Sequence, residues 1–162
     1  MDRPQLLLVV IAFMAALLAL MVLGWRERKR RQKSITAPVS APADLGDVLG
    51  SFGGKYVATT TSGDPLDRIA VHGLGFRGTV TVDVAAIGLL VRIAGTKPIW
   101  IPAADLLARR KATWTIDRVV EHDGLELLEW KLGDRTVDSY FRFDDARDFE
   151  LAIDTLIAGK AS

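Results

Sequence analysis

The sequence predicts an N-terminal membrane-spanning helix followed by a mainly β (α+β) domain, with about seven short antiparallel strands closed by one C-terminal α-helix. Three observations carry this. The run Leu6–Trp25, "LLLVVIAFMAALLALMVLGW", contains no charged residue. Two later stretches, 79–93 and 125–143, alternate apolar and polar residues as strands do. From Phe149 onward the apolar spacing becomes that of a helix.

A helix of the length of Leu6–Trp25 spans roughly 30 Å at about 1.5 Å per residue, the thickness of a bilayer's hydrocarbon core. It shows no polar face, as a helix packed in a soluble core would. A cleaved secretory signal would be shorter and would end in small residues. Here the run ends instead in Arg26, Arg28, Lys29, Arg30, Arg31 and Lys33, offset by Glu27 alone. Basic residues beside a span stay on the cytoplasmic side, so residues 1–5 are expected outside and everything after Trp25 inside. Trp25 stands at headgroup level, and the basic run faces anionic lipid.

Residues 26–43 read as a basic juxtamembrane segment and a linker, because "SITAPVSAPA" has two prolines, small residues and no apolar period. Residues 44–162 are enough for one domain. The charge is divided unevenly. Seven of the 21 basic residues and two of the 20 acidic ones lie at or before Lys33. The membrane-side segment is therefore near +5 and the domain near −4. An acidic domain argues against nucleic acid as a partner. The absence of cysteine excludes disulfides, thiolate metal sites and a cysteine nucleophile.

Within the domain, Leu45, Val48, Leu49 and Phe52 have helical spacing and suggest a short docked turn, broken by Gly53-Gly54. "KYVATTT", Lys55–Thr61, is β-branched and reads as an exposed strand, followed by the turn "SGDP". Val80, Val82 and Val84 alternate with Thr79, Thr81 and Asp83; after a turn at Ala86 and Ile87, Leu89, Val91 and Ile93 alternate with Leu90 and Arg92. "AGTK" is a turn and "PIWIP" a short strand bounded by prolines. "AADLLARRKATWTIDRVVEH" is ambiguous, its first half compatible with a helical turn and its second extended. "HDG" signals a hairpin. Leu128, Trp130 and Leu132 then share a face, and past Gly133-Asp134 so do Val137, Phe141 and Phe143. Phe149, Ala152, Ile153, Leu156 and Ile157 form one helical stripe, with Asp144 or Asp145 as cap and Gly159 as stop. A curled sheet of this kind needs its open end covered, and a terminal helix laid across a bent sandwich or open barrel does that.

This order, together with "GDPLDRIAVHGLGFRG", "VTVDVAAIGLLVRI", "PIWIPAADL" and "FRFDDARDFELAIDTLI", resembles the actinobacterial single-pass membrane proteins with a pleckstrin-homology-like (PH-like) domain. The resemblance covers essentially the whole chain. It implies a PH-like fold behind one N-terminal span, and carries little about activity.

Residues with catalytic chemistry are sparse. The two histidines, His72 and His122, have no acidic or serine partner at a recognisable spacing. "GLGFRG" looks like a phosphate loop but precedes a strand, leaving no helix N-terminus for phosphate. Asp144 and Asp145 read as helix capping residues rather than a metal pair. Arg109, Arg110 and Lys111 form the dense basic patch of the domain and a possible partner contact. The first hairpin, "TTTSGDPLDR", has two aspartates and one arginine, so phosphoinositide selectivity is not expected. The expected role is that of a non-catalytic binding or scaffolding module at the bacterial inner membrane, its C-terminal domain cytoplasmic, without metal or cofactor. A protein segment would dock at a sheet edge or beside the terminal helix. The alternatives are an accessory subunit of a transport or export complex and, less favoured, an enzyme.

Overall fold

A computed structural model describes residues 2–159 apart from 113, 116, 117 and 120–123. The described chain divides into two compact units, up to Ser34 and from Ile35. The expected hairpin at "HDG" and the side chain of His122 lie outside the described residues.

The first unit is one helix, α1 (Arg3–Arg31), ending in a 3-10 turn at Gln32–Ser34. It is the one described helix long and apolar enough to cross a membrane, with mean hydropathy 3.2 over its most apolar window. Helical structure continues past Trp25 through the basic residues. Arginine, lysine and glutamate are good helix formers, and cations at a helix C-terminus oppose its dipole favourably.

The second unit contains β1 (Val48–Thr61), β2 (Asp64–Arg68), β3 (Gly78–Ala85), β4 (Gly88–Ile93), β5 (Ile99–Pro102), β6 (Leu106–Ala112), β7 (Trp114–Thr115), β8 (Arg118–Val119), β9 (Leu125–Leu132), β10 (Arg135–Phe143) and α2 (Ala146–Gly159). The main antiparallel sheet has eight strands in the order β5-β4-β3-β1-β10-β9-β6, with β2 paired to β1 beside that path. β7 and β8 form a separate pair. Strands β5 and β6 end the path, so the sheet curls without closing. The strands and terminal helix therefore have the expected PH-like arrangement.

Alternation decides the inner face. Val80, Val82 and Val84 of β3, Leu89, Val91 and Ile93 of β4, Leu128, Trp130 and Leu132 of β9, and Val137, Phe141 and Phe143 of β10 are all buried. Phe149, Ile153 and Leu156 of α2 complete this core. Phe149 stacks on Phe143 at 3.9 Å between ring centroids and meets Phe52 edge-on at 5.5 Å. A chain of polar groups crosses the interior. Trp130 Nε1 donates to Ser139 Oγ at 2.9 Å, Ser139 Oγ bonds Thr59 Oγ1 at 2.6 Å, and Thr59 Oγ1 bonds the Tyr56 hydroxyl at 2.7 Å. The Tyr56 hydroxyl in turn donates to the Leu74 carbonyl at 2.8 Å. Buried hydroxyls satisfied in this way fix which core packing is allowed.

Three sequence expectations are corrected. Residues 48–52 are not a helical turn but the start of β1, paired with β3 from Val48↔Ala85 to Phe52↔Val82. Four apolar residues cannot repay helix nucleation, whereas this pairing satisfies the backbone and lays Phe52 on Phe149. Gly53-Gly54 does not end that strand. A Cβ on Gly54 would overlap the Arg142 carbonyl, so the glycine lets β10 approach. Lys55–Thr61 is not an exposed strand either, for it is flanked by β10 on one side and by β3 and then β2 on the other, with Tyr56, Ala58, Thr59 and Thr60 buried.

The ambiguous segment resolves into a 3-10 turn at Ala103–Asp105 and then β6. Ile35, assigned by sequence to the linker, is 5% exposed and belongs to the domain's core. Its carbonyl lies 2.7 Å from His72 Nε2, and Thr36 packs on Gly133, whose φ of +64° makes the β9–β10 turn.

Candidate binding surface

Arg109, Arg110 and Lys111 come together on β6, but their charges are answered within the domain. Arg109 pairs with Leu128 in the ladder and points toward α2. Its Nε and Nη2 donate to the two carboxylate oxygens of Asp154, each at 2.9 Å, and its Nη1 donates to Glu126 Oε2 at 3.1 Å. Glu150 lies 3.9 Å away. Only 15% of the Arg109 side chain is exposed, and the Glu126 side chain only 2%. Lys111 Nζ is 3.1 Å from Glu150, and Arg110 Nη2 is 2.5 Å from Glu129.

The electrostatics follow from this geometry. Burial pushes the Glu126 carboxyl up, against the opposing hydrogen bond and charge of Arg109. The Arg109 hydrogen bonds hold Asp154 below the ordinary carboxylate range and raise the guanidinium's own affinity for its proton. The other oxygen of Glu126, Oε1, is buried without a hydrogen bond. The triplet thus joins β6 and β9 to α2. Arg110 and Lys111 keep 63% and 42% of their side chains exposed.

The basic residues of the first unit are carried on α1, except Lys33 in the 3-10 turn. Arg30 and Arg31 lie 3.9 and 3.8 Å from Glu27. Arg26 is exposed, and the side chains of Arg28 and Lys29 lie outside the described residues.

Other sequence candidates acquire structural roles. His72 adopts φ +56° beside Gly73 at +83°, turning the chain so that its ring meets the Ile35 carbonyl. Asp145 Oδ1 accepts the Asp148 amide at 3.4 Å, as a helix cap. The Asp144 amide donates to the Gly53 carbonyl, extending the ladder by one bond. In the first hairpin, Thr61 donates to Asp67 at 2.6 Å, while Arg68 Nη2 lies 3.3 Å from both the Val57 and Gly75 carbonyls. The hairpin's arginine is therefore directed at backbone.

The concavities among the described residues include two of similar size. One, of about 500 Å³, lies between the His72–Phe76 loop, the Gly95–Ile99 turn and residues 37–40. The other, of about 550 Å³, is an open groove between Leu49–Phe52 of β1 and Asp148, Leu151, Ala152 and Thr155 of α2. Leu49 and Leu151 are 48% and 60% exposed on its walls. Sequence reasoning named the neighbourhood of the terminal helix but not β1 as its second wall. The signal was available in Leu49, an apolar residue with no inward position in the alternation set by Phe52, Gly54 and Tyr56. Val48 is in phase with them and is exposed beyond the register shift between Val48 and Gly50, which local spacing does not reveal.

No curated protein matches this chain. A solved structure of Vav1 inhibited by an allosteric inhibitor is similar at TM-score 0.42 and 13% identity, over 83% of this chain and 32% of that one. The chain thus spans about a third of that protein's resolved length. The family model described as Bacterial PH domain-like matches residues 35–156, beginning at the buried Ile35 and ending at the buried Leu156. The chain belongs to the bacterial PH domain-like family.

Proposed function

We propose that this protein is a non-catalytic, single-pass protein of the bacterial inner membrane that presents its PH-like domain to the cytoplasm as a binding module for another protein. Family membership supports a binding or scaffolding role. The observation that carries the choice of a protein partner is the internal use of the domain's cations. Arg109 is held by Glu126 and Asp154, Arg110 by Glu129, and Arg68 faces backbone carbonyls. With the domain near −4, an anionic bilayer is electrostatically unfavourable to it. The span α1 already supplies attachment far stronger than a headgroup contact. Arg26, Arg28, Lys29, Arg30, Arg31 and Lys33 set topology and hold the segment after the span against anionic lipid. Within the triplet, Arg110 and Lys111 are the exposed members through which a partner contacts this patch.

Two measurements test this. The full-length chain crosslinked in cells is expected to capture a membrane or cell-envelope protein. The domain is expected to show no headgroup-selective binding to phosphoinositide-containing vesicles at physiological salt. Selective vesicle binding that disappears in Arg110→Ala/Lys111→Ala overturns the reading and makes the patch a lipid site. Arg109 is left intact in that variant because it holds α2.

A further inference from the structure

Strand β1 has two different halves. From Gly54 to Tyr56 it is paired on both sides, with β3 and with β10, and towards its end with β2 and β10. Before Gly54 the described register contains β3 alone, because β10 ends at Phe143 and the chain turns away into α2. The last bond on the open side is from the Asp144 amide to the Gly53 carbonyl, 3.1 Å. Backbone groups alternate sides along an antiparallel strand. The N–H and C=O of Ser51 therefore point the same way as the Gly53 carbonyl, away from β3 and into the groove beside α2. An unpaired strand edge with donors and acceptors in place is a template for another strand.

The walls specify what fits. Phe52, Leu49, Leu151 and Ala152 supply apolar surface. Asp148 is the one charged residue lining the groove. Asp47, exposed, immediately precedes the strand, and Asp144 Oδ2 lies against Gly53 at its other end. Arg147, in the same helical turn as Asp148, is not among the lining residues. Carboxylates thus stand at both ends of an apolar floor. Asp83, on the adjacent strand, is by contrast already engaged by Ser51 and Arg92.

We propose that this groove receives an extended, cationic segment of a partner protein, which adds as a strand to the open edge of β1. Alternate apolar side chains of the segment lie against Phe52, Leu151 and Ala152, and its lysines or arginines face Asp47, Asp144 and Asp148. This rests on the protein-binding reading above and names the surface and the chemistry recognised there.

The probe is a ten-residue peptide alternating valine or threonine with lysine, presented to the full-length chain in zwitterionic lipid discs. Its control carries glutamate in place of lysine. The cationic peptide is expected to bind at least about tenfold more tightly, and to slow hydrogen exchange at the Ser51 amide. Leu151→Asp should abolish binding while leaving the fold intact, since Leu151 is exposed. Asp47→Lys/Asp148→Lys should reverse the preference between the two peptides. Equal binding of both peptides, or binding without slowed exchange at Ser51, overturns the proposal. So does a second copy of this chain pairing through the same edge, read as a dimer crosslinked between β1 strands. In cells, a photo-crosslinking residue at Leu151 is expected to capture a protein through a basic, extended segment. Capture from Phe76 but not from Leu151 overturns the groove and leaves the binding-module reading standing. Capture from neither position overturns both.

Discussion

Arg109 illustrates how a single side chain can read as a surface feature in sequence and act as a clasp in the fold. As one of three consecutive cations it looks like part of a solvated patch. Its position on β6, opposite Leu128, instead turns it toward α2, where Asp154 and Glu126 receive it. Replacing it with alanine leaves Glu126 buried and uncompensated, a change that typically costs about 3–5 kcal/mol. Arg109→Ala should therefore shift the denaturant midpoint of the domain strongly, while Arg110→Ala, at an exposed pair, should change stability by less than about 1 kcal/mol. The carboxyls give opposite pH dependences. Glu126 is raised above its ordinary value of 4.5, so the unfolded chain loses this proton first as pH rises. Its contribution to stability consequently falls from about pH 4.5 upward, through its folded-state pKa. Asp154 is lowered, so its contribution is present above its ordinary value of 3.8 and is lost as pH falls through its folded-state pKa. Glu126→Gln should flatten stability above pH 4.5, whereas Asp154→Asn should flatten the acid limb; unfolding curves across pH distinguish the two.

At the level of elements, the terminal helix was legible because its apolar stripe repeats over several turns, and the structure buries that stripe through Phe149, Ile153 and Leu156. Phe149→Asp places a charge between Phe52 and Phe143 and should cost several kcal/mol, measured by urea unfolding. Strands β3, β4, β9 and β10 were legible for a related reason, since apolar residues recur at every second position and the structure buries them. β1 was only half legible. Its Gly53-Gly54 pair suggested a break, but Gly54 admits the β10 backbone, a tertiary requirement absent from local spacing. The candidate contact at Arg109–Lys111 could be found as a charge run, but its partners Glu126, Glu150 and Asp154 come from β9 and α2, and no local pattern pairs them. Ile35 was missed because a lone apolar residue among prolines and small residues has no period. Its burial carries a further expectation. A domain beginning at Ile35 should be more stable than one beginning at Asp44 by about 1.5–3 kcal/mol, the value of burying one large aliphatic side chain. Both should be mainly β by circular dichroism, and equal denaturant midpoints would show that Ile35 adds nothing.

Across the whole molecule, charge is separated along the chain, with the segment through Lys33 near +5 and the remainder near −4. Five of the six cations that follow Trp25, namely Arg26, Arg28, Lys29, Arg30 and Arg31, fall within the continuous helix α1, and the sixth, Lys33, lies in the 3-10 turn just after it. If α1 spans a bilayer, as proposed, its continuation as a basic rod keeps these charges close to the headgroups of one leaflet. Translocating them would oppose both desolvation and the membrane potential, whereas the other flank offers only Arg3, beside Asp2, to compete. The bias should place Ser162 in the cytoplasm. A reporter active only in the cytoplasm, fused after Ser162, is expected to be active in a bacterial host, and a periplasm-dependent reporter at the same position silent. Neutral replacements at Arg26, Arg28, Lys29, Arg30, Arg31 and Lys33 should bring the two signals toward parity, because the acidic domain itself supplies little orienting force. Periplasmic activity from the unaltered chain would reverse the orientation, and with it the compartment in which the partner proposed for the open edge of β1 would have to be sought.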